Sequence, residues 1–303
     1  MDRKLRAGIE YNIPLLPGFR TAGRGGTRLG LCRGRQPSMD VIFSDLDGSL
    51  LDPETYSWHA ACAAIERLNR RGTPWILVTS KTRAEVEFWR GRLEHQHPFI
   101  VENGGAAFVP RGYFPQPVPG AREVGPYDMI EWGTAYEALV ADLGTCSERS
   151  RCRVWGFHDM TAHEVAAACD FPLEQAILAK QRQYDEPFLV RDPDLADGLA
   201  SAIEELGRRW TRGGRFWHIL GTNDKAAAVV ALSTLFQQYY GPLRTIGLGD
   251  AANDAPFLGA VNVAVLIRSS QARKLKASIP HGILTRRPGP EGWNDAVLSL
   301  ISE

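Results

Sequence analysis

Short apolar runs, DVIFSDL, PWILVTS, RTIGLGD and NVAVLI, alternate with stretches whose apolar residues recur at helical spacing. That alternation predicts an α/β fold, a mostly parallel sheet with helices on its faces. DVIFSDL reads as a first buried strand, residues 56–69 as a helix stopped at Arg70-Arg71-Gly72, PWILVTS as a second strand and residues 82–93 as a second helix. FIVENGGAAFVP gives two short strands about Asn103-Gly104-Gly105, a hairpin signal. Between about Arg111 and Leu220 prolines and aromatics interrupt the rhythm, which returns with the helix NDKAAAVVALSTLFQQYY, for which Asn223 and Asp224 are candidate caps. The expected organisation is a core from 39–110 and 221–303 around an inserted domain at 111–220.

Composition narrows the partners. A chain of 303 residues can bury a large core, and a formal net charge of zero gives it no global attraction to nucleic acid or an anionic membrane. No apolar run approaches the roughly 18 to 20 residues of a membrane span. Five cysteines without a CxxC pair suggest neither a disulfide framework nor a zinc site, so a reduced, cytoplasmic setting and small-molecule partners are expected. Residues 1–38 are basic, acid-poor and without folding period, and read as a disordered extension or as sequence ahead of a start at Met39.

Ligands of open parallel sheets sit beyond the carboxyl ends of the strands, which directs attention to Asp45, Thr79 and Asp250. Asp45 and Asp47, two apart in extended chain, project to one side, and carboxylates so close need a cation or a proton to coexist. Asp250 and Asp254 add acid at another strand end, and Lys225 opens a helix. Several aspartates, a lysine and a hydroxyl suit phosphate chemistry, and magnesium prefers such oxygen ligands.

The segments DLDGS at 45–49, LVTSKT at 77–82, NDKAAAV around Lys225 and GDAAND at 249–254, in that order, resemble the signatures of the haloacid dehalogenase phosphatase superfamily. The resemblance implies that Asp45 is the nucleophile forming an aspartyl-phosphate and that Asp47 protonates the leaving alcohol, then deprotonates water. It further implies Mg2+ held by the Asp45 carboxylate, the Asp47 carbonyl and Asp250, with Asp254 close by, and phosphoryl oxygens gripped by Lys225 and Thr79. Ser80 is the alternative hydroxyl, because TSKT can be slid by one position. An insert between the second and third signatures implies a Rossmann-like core with a C2 cap of type IIB. TSKTRAEVE, PFIVENGGAAFVP, QRQYDEPFLV, GGRFWHILGTNDK and PGPEGWN look like the mannosyl-3-phosphoglycerate phosphatase family. That resemblance implies release of phosphate from a sugar-glycerate ester. Phosphatases of glucosyl-3-phosphoglycerate or sucrose phosphate, a phosphomannomutase and a silent binding module on the same fold are the alternatives.

A phosphoglycerate carries a carboxylate besides its phosphate, so cations are expected in the insert. Lys180, Arg182, Arg191, Arg212, Arg215 and His218 are the candidates there, Arg182 first, with Glu186 for sugar hydroxyls and Trp217 for stacking. His95 and His97 are expected to be solvated, Asp52 to cap a turn, and Cys62 and Cys169 to be small core residues.

Overall fold

The structure, a computed structural model, describes residues 38–170, 172–212 and 215–302. All of the basic N-terminal stretch but Ser38, and Cys32 with it, lies outside the described residues. The described residues form two sheets. The larger is built from β1 (Met39–Ser44), β2 (Trp75–Val78), β3 (Phe99–Val101), β4 (Ala106–Pro110), β5 (Arg122–Val124), β6 (Tyr127–Glu131), with β11 (Leu243–Gly249), β12 (Val263–Arg268) and β13 (Ile283–Pro288). Its order is β13-β12-β11-β1-β2-β3-β4-β6-β5, parallel from β13 to β3 and antiparallel beyond. The smaller sheet, order β7-β8-β10-β9, is antiparallel and uses β7 (Val154–Gly156), β8 (Asp185–Val190), β9 (Arg209–Arg212) and β10 (Trp217–Leu220).

Alternation along the strands sorts the core into two layers, because successive side chains leave a strand on opposite faces. Ile42, Leu77, Phe99 and Phe108 pack on one side with α1 (Cys62–Arg71), α2 (Arg83–Leu93) and, late in the chain, α10 (Gly289–Leu300). Val41, Phe43, Ile76, Val78 and Ile100 pack on the other with α7 (Lys225–Tyr240), α8 (Ala255–Gly259) and α9 (Ala272–Ser278). The smaller sheet rests Phe188 and Ile219 on α3 (Tyr136–Ser150) and α6 (Ala196–Glu205), while Trp155 and Leu189 meet α4 (Ala162–Cys169) and α5 (Leu173–Ala179).

Several expectations need correction. Residues 122–131, placed by their texture in the insert of 111–220, extend the larger sheet instead. β6 pairs with β4 and turns Tyr127 and Met129 into the core, which covers the outer edge of a strand buried throughout. The first helix starts at Cys62 after a tight turn at His59–Ala61, and ends on Gly72 in the left-handed region. β13, an edge strand carrying Arg286 and Arg287, had no apolar run to announce it. Cys62 and Cys169 are only partly buried. Trp217 stacks on Trp210 within the smaller sheet's core, with ring centroids 4.6 Å apart.

His95 and His97, expected in solvent, are buried beside Trp75. His95 Nε2 bonds the Trp75 carbonyl and its Nδ1 accepts from Arg90, so the ring is neutral with the proton on Nε2. His97 Nδ1 meets the Tyr113 hydroxyl at 2.8 Å. Burial first, then Arg90, holds His95 well below its ordinary range and His97 down at about 3. The unfolded chain therefore binds protons at these sites below pH 6.5 while the folded chain does not, and stability must fall as pH falls through that point. For His97 the loss between pH 7 and pH 5 is about 2 kcal/mol. Urea unfolding of wild type and His97→Gln at both pH values should show the variant losing about 2 kcal/mol less; equal pH slopes would contradict this account.

Candidate active site

β11, β1 and β2 are adjacent and parallel, so the residues that follow them emerge at one rim of the sheet. Asp45 leaves β1 with its amide bonded to the Leu248 carbonyl of β11. Asp250 leaves β11, and Thr79 leaves β2. Gly48 makes the turn after Asp45 at φ +74°, and a Cβ there would lie 2.7 Å from Asp250 Oδ2, so only glycine admits the close approach.

The acids converge. Asp45, Asp250 and Asp254 each offer a carboxylate oxygen within 4.8 Å of the others. Lys225 at the start of α7, buried to 2% exposure, reaches Asp45 Oδ1 at 2.9 Å and Asp254 Oδ1 at 2.7 Å. Asp224 supplies the helix cap, accepting from the Ala227 amide, and so settles which candidate cap aims the lysine inward. Asp254 Oδ2 accepts from the amides of Asp250 and Ala251. Both Asp254 oxygens are therefore engaged by the protein, whereas Asp45 and Asp250 face the cavity. Burial, then Asp254 and Asp47 against the opposing Lys225, pushes Asp45 up to about 7. Burial, then Asp254 and Asp45, pushes Asp250 up to about 9. Burial works against a charged Lys225, yet Asp254 and Asp45 hold its ammonium above the usual range.

Asp47 shares the cavity wall with Asp45. Its Oδ2 lies 3.1 Å from Lys81 Nζ, while Oδ1 is buried without a hydrogen-bond partner. Lys81 is itself buried, 3.5 Å from Glu85 and 5.4 Å from the centre of the Tyr56 ring. Neither Lys81 nor Tyr56 stood out in the sequence; the only signal was a lysine four residues before Glu85, directly after Thr79-Ser80. Of the two candidate hydroxyls, Ser80 is on the cavity wall. Thr79 is wholly buried, its Oγ1 accepting from the Lys81 amide.

A cavity of about 430 Å3 separates this acidic rim from the smaller sheet, where Arg182, Arg215 and His218 face it. Arg182 is buried, and donates through Nε to the Asp185 carbonyl and through Nη2 to the Asp185 carboxylate and the Ser80 carbonyl. His218 Nδ1 lies 3.0 Å from both Asp185 oxygens. Burial opposes the Asp185 carboxylate, but Arg182 and His218 hold it below the usual range. Glu186 is not brought to the cavity: its oxygens accept from the Tyr136 hydroxyl and the His158 amide. Lys180 is tied to the Phe157 and Met160 carbonyls, Arg191 covers Trp155 and Arg212 covers Trp217. Cys169 lines the cavity, with burial pushing its thiol up to about 12. Asp52 caps its turn as expected, accepting from Glu54, Thr55 and the Thr55 hydroxyl.

Comparison with known proteins agrees with this architecture. Residues 42–112 match the family model of haloacid dehalogenase-like hydrolases. A glucosyl-3-phosphoglycerate/mannosyl-3-phosphoglycerate phosphatase of Methanococcoides burtonii is 39% identical over 87% of this chain and 97% of its own length. A mannosyl-3-phosphoglycerate phosphatase of Pyrococcus horikoshii is 34% identical over 77% of this chain and 93% of its own. A solved sugar phosphatase of haloacid dehalogenase subclass IIB superimposes with a TM-score of 0.61 at 16% identity, over 86% of this chain and 99% of that one, a likeness of fold. The chain therefore belongs to the glucosyl-3-phosphoglycerate/mannosyl-3-phosphoglycerate phosphatase family of haloacid dehalogenase-like phosphoric monoester hydrolases.

Proposed function

We propose that the chain is a Mg2+-dependent phosphomonoesterase that hydrolyses mannosyl-3-phosphoglycerate through an aspartyl-phosphate on Asp45. The observation that carries this is the pairing of Asp45 and Asp47 on one cavity wall with Lys225 and Asp250 around them. Clustered, desolvated carboxylates that push one another's proton affinity up are a donor set suited to a hard divalent cation. Asp45, Asp250 and the Asp47 carbonyl would hold it, while Asp254, already bonded through both oxygens, orients Lys225 and the Asp250 loop. When bound, such a cation supplies positive charge against the phosphoryl oxygens.

The chain's own groups account for the transfer. Asp45 attacks phosphorus and the bond to the glycerate oxygen breaks, its electron pair leaving with that oxygen, which takes the proton of Asp47. Water then gives a proton to Asp47 as it attacks the acyl phosphate, and the carboxylate of Asp45 is restored. Lys225 grips a phosphoryl oxygen, with Ser80 at the cavity wall or Thr79 behind it as the hydroxyl partner. The smaller sheet and its helices act as a cap, and Arg182 and Arg215 offer positive charge to the glycerate carboxylate. Glucosyl-3-phosphoglycerate is the second substrate to test, since the relative at 39% identity is named for both esters.

Asp45→Asn should abolish phosphate release from mannosyl-3-phosphoglycerate while leaving the far-UV spectrum and the unfolding midpoint near wild type. Substantial turnover by that variant, once deamidation is excluded by mass spectrometry, rules the mechanism out. Chelation should silence the wild-type enzyme, and added Mg2+ should restore it. On a panel of sugar phosphates, kcat/KM should be highest for the two hexosyl-3-phosphoglycerates; a preference for sucrose phosphate or a free hexose phosphate would overturn the substrate assignment.

A further inference from the structure

The geometry points to Lys81 as the residue that positions Asp47 for proton transfer to the leaving oxygen. The inference rests on the reading of Asp47 given above. Among the described residues, Lys81 is the only side chain joined to the Asp47 carboxylate by an ion pair or hydrogen bond. A carboxylate with one anchored oxygen keeps one rotamer; without the anchor it is free to turn about χ1. Lys81 is built to be such an anchor. Its amide donates to Thr79 Oγ1, its carbonyl accepts from the Glu102 amide, and its ammonium stands between Asp47, Glu85 and the Tyr56 ring. Glu85 is fixed in turn by the capping box of α2, where its Oε2 accepts from the Thr82 amide and its own amide donates to Thr82 Oγ1. The start of α2 thereby sets the direction of an acid that belongs to the loop after β1.

The chemistry assigned to this arrangement is one proton. As the phosphorus–oxygen bond breaks, its electron pair goes to the departing oxygen, and the proton of the Asp47 carboxyl goes to that oxygen, leaving Asp47 as carboxylate. A poor leaving group such as an alkoxide needs that proton, whereas p-nitrophenolate departs without it. Loss of Lys81 should therefore harm alkyl esters selectively.

The test compares kcat/KM for mannosyl-3-phosphoglycerate and p-nitrophenyl phosphate, since kcat/KM ends at the first phosphoryl transfer. Lys81→Met should lower the alkyl ester's value by about 30-fold or more, a part of the roughly 10²–10⁴ that a general acid supplies, and the aryl ester's by less than about threefold. Lys81→Arg should recover part of the loss. In an Asp47→Ala background, Lys81→Met should have no further effect on either ester. Because Lys81→Met leaves the buried Glu85 carboxylate without its ion pair, Lys81→Met/Glu85→Gln provides the same comparison should the single variant fail to fold. Equal falls for both esters in a folded variant, or a further fall in the Asp47→Ala background, overturns the inference alone. If Asp47→Ala itself shows no preference between the esters, the reading of Asp47 fails and the inference fails with it.

Discussion

The ammonium of Lys225 is the interaction on which the rest of the site depends. Two carboxylates, Asp45 and Asp254, approach it within 3 Å in a region almost closed to solvent, and a third, Asp250, stands beside them. Without a positive charge at that point the acids would repel and desolvation would drive protons onto them. The fold delivers the charge from far away in sequence: α7 begins at Lys225, packs its apolar face on β1, β3 and β4, and so directs its first residue at the strand ends. The cost of burying Lys225 is met by ion pairs in place, and the cluster keeps a cavity-facing side for further positive charge.

A second buried charge system joins the two sheets. Glu102 accepts from the amides of Gln183 and Tyr184, Asn103 donates to Asp185, and Arg182 reaches back to the Ser80 carbonyl. Glu102 and Asn103 both have positive φ, 46° and 54°, which neither residue adopts without cost. Gly104 follows at φ +89°, where a Cβ would lie 2.2 Å from the Asp224 carbonyl. One strained turn thus touches the cap of α7 on one side and the smaller sheet on the other. Burial pushes Glu102 up to about 7 against the pull of Arg182. Such a system specifies one arrangement of the sheets better than it adds stability, because any sliding of β8 would leave buried charges unpaired.

Much of this was legible in the sequence, and the reason is local. A period of two marks the strands, and a polar residue after an apolar run marks the rim of a parallel sheet, which singles out Asp45 and Asp250; Asp47 follows from its spacing to Asp45, and Lys225, at a helix start, gains weight only from the signatures around it. What was not legible depended on pairings between distant residues. His95 and His97 follow a helix in a polar stretch, and only the Trp75 carbonyl and Tyr113 hydroxyl explain why they are inside. Residues 122–131 carry mixed polar and apolar side chains that fit either sheet, and the open edge of β4 decides between them. Nothing local to Glu186 signals that Tyr136, fifty residues earlier, holds its carboxylate.

Arg182, the cation of the insert chosen first for a substrate carboxylate, shows how firmly a buried guanidinium is held. As a cation in the insert it was the natural partner for a substrate carboxylate, and it does face the cavity. Yet Nε and Nη2 are bonded to Asp185 and to Ser80, so the guanidinium cannot swing toward a ligand; a ligand must come to it. The Ser80 contact gives this rigidity a consequence. Ser80 and Arg182 both line the cavity, and the Ser80 carbonyl accepts from Arg182 Nη2. The loop after β2 is thus joined to the segment before β8 by a hydrogen bond 2.8 Å long. Thr82 Oγ1, donating to the Leu178 carbonyl at 2.9 Å, adds a second tie between the same loop and α5. Two short ties, each from a side chain to a backbone carbonyl, hold the loop after β2 against α5 and the segment before β8, and so keep the groups that line the cavity in place.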